Sequence, residues 1–237
     1  MATPRRKRST ERIDARGVAP YDVRFRIHRP LVPSGDVDEF LLEIHGEITC
    51  VGDGHEEPAG IIDAYVLQVT KAAEARESMA EVCDATSSEL EEVYAVLFDE
   101  SGELKEEISD GGGWGDVLYL HRAEVLPSHR GRGVGLMAAL RVIEDFGSGC
   151  ALAVMKPFPL QLEGAGDQRP RSAADQKYRR SLALDSFDQD PRRARPRLER
   201  HWCKLGFERV GDSELFVLDL SMQRPGYREL LGRDARE

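Results

Sequence analysis

No uninterrupted apolar run in this 237-residue chain approaches the ~18 residues of a membrane span. The first ten residues are polar and basic where a secretory signal would need an apolar centre, so none is expected. Cysteine is scarce. Cys50, Cys83, Cys150 and Cys203 lie far apart with no CxxC pair, a spacing that suggests neither a zinc site nor a disulfide framework. No metal is expected, and the thiols read as reduced groups in a soluble, cytoplasmic protein with no membrane partner. Positive charge is in deficit: 33 Lys and Arg stand against 43 Asp and Glu, for a net charge of -10. Nucleic-acid affinity is largely a count of cations set against phosphates, so no nucleic-acid partner is expected, and a cationic partner is favoured. No internal repeat is visible.

What is present is enough for one domain with a sizeable core, since 41% of residues are hydrophobic. Residues 1–18 form a basic tail with too few apolar groups to fold. The domain spans 19–222, and 223–237 read as a polar tail. Period-2 or continuous apolar character over 23–27, 40–49 and 60–70 predicts the first strands, and helical spacing from 72 to 97 predicts one or two helices. A strand over 117–125 leads through Pro127 into Arg130-Gly131-Arg132-Gly133-Val134-Gly135, followed by an amphipathic helix over 136–146 and a short apolar strand over 150–155. Residues 162–195, rich in Arg, Asp, Gln and Ala, read as an insertion, partly helical over 172–184. Pro196 is expected to open a helix over 197–205 that Gly206 ends, before strands over 207–210 and 214–220.

The glycine turn carries the chemistry. Glycines at 131, 133 and 135 between a strand and a helix let backbone N–H groups approach a ligand closely. The first turn of a helix also has unpartnered N–H groups and about half a positive charge, so an anion is the natural occupant. Arg130 and Arg132 are expected to add charge there. A Walker A loop is excluded, because no Gly-Lys-Ser/Thr follows, and a G-x-G-x-x-G dinucleotide fingerprint fails because Leu136 and Ala138 stand where glycine would be needed.

The remaining pattern, R-x-x-G-x-G from Arg130 to Gly135, resembles the coenzyme A pyrophosphate loop of the GNAT family of N-acetyltransferases. The order of elements from 117 to 220, apart from the insertion, resembles the second half of that fold, including Lys204-Leu205-Gly206-Phe207; the first strands match only by pattern. The resemblance implies an α/β (α+β) fold, a mixed sheet of six to seven strands whose fourth and fifth strands splay apart. It implies acetyl-coenzyme A as co-substrate and transfer of its acetyl group to an amine, expected to be small and cationic. The backbone at Ala123 and Val125 would hold the thioester and its arm, and the N–H groups of Arg130, Gly131, Arg132, Gly133, Val134 and Gly135 would hold the pyrophosphate. His121, nine residues before Arg130, is the first candidate for the base. Glu124 is a second candidate, although strand alternation sends it to the opposite face from His121 unless a bulge intervenes. Tyr119 shares the His121 face and is expected to line the pocket. The family's usual tyrosine acid is replaced by Trp202, which leaves Tyr178, Tyr119 or unassisted loss of the thiolate. A non-catalytic module that binds acyl-coenzyme A is the competing reading, and assembly as a homodimer stays open.

Overall fold

The computed structural model describes residues 21–29, 31–32, 37–52, 55–108, 115–163, 173–227 and 229–230. The expected basic tail over 1–18 and part of the expected insertion lie outside them. Strands β1 (Tyr21–Ile27), β2 (Leu41–Gly52), β3 (His55–Leu67), β4 (Asp116–Val125), β5 (Cys150–Met155), β6 (Glu208–Arg209) and β7 (Phe216–Asp219) form one seven-stranded sheet. Their order is β1-β2-β3-β4-β5-β7-β6. Only β4 and β5 run parallel; every other neighbouring pair is antiparallel. The architecture is mixed α/β with a central sheet, as the sequence pattern predicts.

The helices cover both faces of the sheet. On one face lies α4 (Val134–Phe146), whose Leu136, Ala139, Leu140 and Ile143 are all buried. Their i, i+3, i+4, i+7 spacing makes a single apolar stripe, which packs on Ile44, Ile62, Leu118 and Leu120. Burial of each large side chain there is worth about 1.5–3 kcal/mol. Phe146 also meets Phe25 of β1 edge to face, with ring centroids 4.9 Å apart, tying the far edge strand to this helix.

The other face carries α1 (Val69–Ala75), α2 (Met79–Thr86) and α3 (Ser88–Leu97), packed on Val117, Tyr119, Leu152 and Val154. Sequence spacing predicts one or two helices here, and there are three. Arg76 ends α1 in the left-handed conformation at φ 62°, Ser78 caps α2 by accepting from Glu81 N, and Ser87 caps α3 by accepting from Leu90 N.

The last third matches the expectation in one place and departs from it in two. Helix α5 (Ala173–Ser181) lies within the expected insertion, and Leu182 just after it is buried. Helix α6 runs over Pro191–Trp202, opening five residues before Pro196, which sits inside it. Asp190 accepts from Arg192 N at 3.0 Å and Pro191 occupies the first helical position, so the cap and the fixed φ of this earlier proline set the start. The expected polar tail also contributes to the core, because Leu230 is buried among the α4-side residues and the Tyr227 hydroxyl donates to Glu144 at 2.6 Å.

Candidate functional site

The site is built at the middle of β4. Leu120 pairs with Ala64 and Arg122 pairs with Asp63, two consecutive residues of β3, so His121 is the extra residue of a β-bulge. On the other side, pairing with β5 stops at Leu120 opposite Met155. From His121 to Val125 that edge of β4 has no strand partner among the described residues. The bulge also reverses the alternation. Ala123 and Val125 pack with the α4-side core, so Arg122 and Glu124 turn to the face that carries Tyr119 and His121. The expectation that Glu124 lies opposite His121 therefore fails for the stated reason, a bulge between them.

His121 Nδ1 lies 3.1 Å from a carboxylate oxygen of Glu89, in the first turn of α3. The Tyr119 hydroxyl donates to the other oxygen of the same carboxylate. Burial opposes the charge on Glu89, but the hydrogen bonds from His121 and Tyr119, with Lys156 nearby, outweigh it and hold its carboxyl below the usual range. With Nδ1 turned to Glu89, the other ring nitrogen of His121 is left for a ligand or water, and the side chain is 31% exposed. Tyr119 is fully buried. It positions Glu89 and forms no pocket wall; burial and the adjacent carboxylate push its phenol up. Tyr65 meets the His121 ring at 5.7 Å from the β3 side.

Beyond His121 the same face becomes an ionic network. Arg122 donates to Glu124 at 2.6 Å and to Glu163 at 2.5 Å, and Arg179 of α5 donates to Glu163 at 3.1 Å. Burial works against the charge of Arg122, yet Glu163 and Glu124 raise its pKa above the ordinary value. The insertion is thus fastened to the upper half of β4. Glu124 is 4% exposed, and among the described residues neither its second oxygen nor the buried Tyr178 hydroxyl makes a well-formed hydrogen bond, although the two groups lie near each other. Burial, then the charge of Glu124, pushes the Tyr178 phenol up. Asp63 and His45, 2.5 Å apart, complete this acidic face from β3 and β2.

The glycine turn follows directly. After a short 3-10 turn over Pro127–His129, Gly131 and Gly133 adopt φ of 71° and 72°, and Gly133 caps α4. The first backbone bond of the helix runs from Met137 N to Gly133 O at 2.9 Å, so the N–H groups of Val134, Gly135 and Leu136 precede it without an intrahelical acceptor. Gly135 is different from the other two. Its φ is not in the left-handed region, and a Cβ there would sit 3.7 Å from Val125 Cγ2, an ordinary contact. Nothing in the fold demands glycine at 135, where alanine would favour the helix by about 0.5–1 kcal/mol.

Both arginine side chains also make contacts with the protein itself. Arg130 turns back on the chain, donating through Nε to Val125 O at 2.8 Å and through its terminal amino group to Leu182 O, with its guanidinium over the Phe187 ring. It binds the insertion to the end of β4. Arg132 reaches the Tyr21 hydroxyl at 3.5 Å. What the turn offers a ligand is its backbone. Trp202 packs against the α4-side core and meets His201 at 5.4 Å, a packing role.

Glu89, Tyr65, Asp63 and Glu163 escaped sequence reasoning, for they come from α3, β3 and the loop after β5, and no local pattern marks them. A cleft of about 530 Å³ lies elsewhere, between α6 and the β6–β7 edge around Arg200, Phe207 and Arg209. It shares no residue with the β4 site. No protein-family model matches the chain, and neither curated proteins nor solved structures give a match.

Proposed function

We propose that this chain is an N-acetyltransferase that moves an acetyl group from acetyl-coenzyme A to an amine. The observation that carries the reading is the conjunction on one strand. The unpartnered edge of β4 at residues 121–125 runs straight into a glycine turn whose helix N–H groups are free, and Gly135 is a glycine the fold itself does not need. A backbone left bare at a helix start, at a cost to the helix, fits close approach of a pyrophosphate. The free edge of β4 offers main-chain groups to an extended amide-bearing arm, as strand addition does. The resemblance of Arg130 to Gly135 to the GNAT loop supports the same assignment.

The thioester supplies the acetyl group and a leaving thiolate. His121 acts as the base, taking the proton of the ammonium acceptor directly or through one water, with Glu89 fixing the ring through Nδ1 and Tyr119 fixing Glu89. Asp63, Glu89, Glu124 and Glu163 surround this face with carboxylates, which favours a cationic acceptor. Glu124 is held by Arg122 and is an acceptor-binding group rather than the base. Tyr178 and Tyr119 hold their protons too tightly to be good acids. The thiol, with an ordinary pKa near ~8.5, leaves unassisted.

The packing of Trp202 where an acid would stand favours a module that binds acyl-coenzyme A without chemistry. Turnover decides between the two. Release of free thiol from acetyl-coenzyme A should depend on an added amine from a panel of small mono- and polyamines, and should collapse in His121→Ala. Binding of acetyl-coenzyme A with no amine-dependent thiol release across that panel would favour the non-catalytic module.

A further inference from the structure

We infer that Cys50, Glu57 and His129 form a zinc-class metal site beside the glycine turn, an inference that stands independently of the acyltransfer reading. The sulfur of Cys50, one carboxylate oxygen of Glu57 and a ring nitrogen of His129 all lie within 4.8 Å of one another. Cys50 and Glu57 are direct cross-strand partners in β2 and β3, and His129 arrives from the 3-10 turn that follows β4. His129 Nε2 stands 3.5 Å from Glu57. That separation is too long for a good hydrogen bond, but ligand arms of about 2.0–2.2 Å in a tetrahedron put nitrogen and oxygen about 3.4 Å apart.

Three features suit a cation. His129 is 3% exposed and Cys50 is 7% exposed, so two of the donors are already shielded from water. The other ring nitrogen of His129, Nδ1, lies 3.2 Å from the Tyr21 hydroxyl. With its proton on Nδ1, His129 donates to that oxygen and leaves the Nε2 lone pair facing Glu57 and Cys50, the outer contact that orients a ligating histidine. Glu57, whose side chain is 66% exposed, provides both the third donor and the route by which a metal arrives. A thiolate with an imidazole selects a borderline-soft divalent ion such as Zn2+ over Mg2+ or Ca2+. Three protein donors leave the fourth position to water. The expectation from cysteine spacing, that no zinc site exists, rests on ligands that are neighbours in sequence; here strand pairing brings them together. Bound metal would lock β2, β3 and the residue immediately before Arg130, and so fix the turn that begins there.

The test uses the untagged full chain stripped of metal by a chelator, titrated with Zn2+ alone in competition with a chromophoric chelator. One zinc per chain is expected. Cys50→Ser and His129→Gln should weaken binding at least tenfold, Tyr21→Phe by about 10–100-fold, and Cys203→Ser, which removes an exposed thiol, should leave it unchanged. Glu57→Gln changes an exposed residue and should fold normally, so its loss of affinity reads the site even where a buried variant is unstable. Co2+ in place of Zn2+ should give thiolate-to-metal charge-transfer absorption in the wild type. The inference is overturned by the absence of stoichiometric zinc binding, by wild-type affinity in Glu57→Gln together with Cys50→Ser, or by a cobalt spectrum that lacks the thiolate band or loses it in Cys203→Ser.

Discussion

The two halves of β4 carry opposite duties. From Val117 to Leu120 the strand is paired on both sides and its apolar residues are buried, with Val117 and Leu118 fully so. From His121 to Val125 it is paired on one side only, half-exposed apart from Glu124, and studded with ionisable groups. One extra residue at the bulge separates them. The lesson is that a site can be held to high precision by a strand whose other half is core, because the rigid half fixes the direction in which the free half leaves the sheet.

Mutations can break this contrast. The largest expected effect is on rate in the upper half: under the acyltransfer reading His121→Ala lowers turnover by about 10²–10⁴-fold while leaving the denaturation midpoint close to wild type. Leu118→Ala in the lower half should do the reverse, costing about 2–5 kcal/mol of stability by urea denaturation with the catalytic groups intact. An equal loss of both properties in both variants would erase the distinction.

The contact between the halves and α3 can be read by pH. Glu89 has its carboxyl pKa held below its ordinary value, so its contribution to stability is present at neutral pH and is lost as pH falls through that lowered value. The melting-temperature gap between wild type and Glu89→Gln should therefore be widest near neutrality and close in acid. A gap that is constant with pH would mean that Glu89 is not charged in its contact with His121. The smallest effect belongs to the turn: Gly135→Ala should raise helix stability by about 0.5–1 kcal/mol, visible as a small rise in melting temperature, while weakening acetyl-coenzyme A binding.

Most of the sheet was legible because strand alternation and short apolar runs are local properties, and β4, α4 and β5 were readable in order. The breaks among α1, α2 and α3 depend on a left-handed arginine at 76, which no propensity marks, and on serine caps at 78 and 87 that continuous helical spacing concealed. Helix α6 starts before Pro196, the proline that marks a helix start in the sequence, because Asp190-Pro191 is the pair whose cap and fixed φ open it. At the site, His121 and the glycines were legible as chemistry beside a turn. The partner of His121 was not, since Glu89 lies on another element and only tertiary packing joins them. The contacts of the Arg130 and Arg132 side chains were not legible for a related reason: carbonyls at Val125 and Leu182, an aromatic ring at Phe187 and a hydroxyl at Tyr21 meet them, and none of these is near in sequence except Val125.

The central claim, that the turn at Arg130–Gly135 holds the pyrophosphate of an acyl-coenzyme A, is tested most directly by calorimetry of acetyl-coenzyme A binding to the wild type and to Gly135→Glu. Position 135 has room for a Cβ and lies in the first turn of α4, where an acidic side chain favours the helix, so the variant should fold as well as the wild type. Binding by the wild type that disappears in Gly135→Glu, with the melting temperature unchanged or higher, is the predicted result. No binding by the wild type, or equal binding by both proteins, would contradict it.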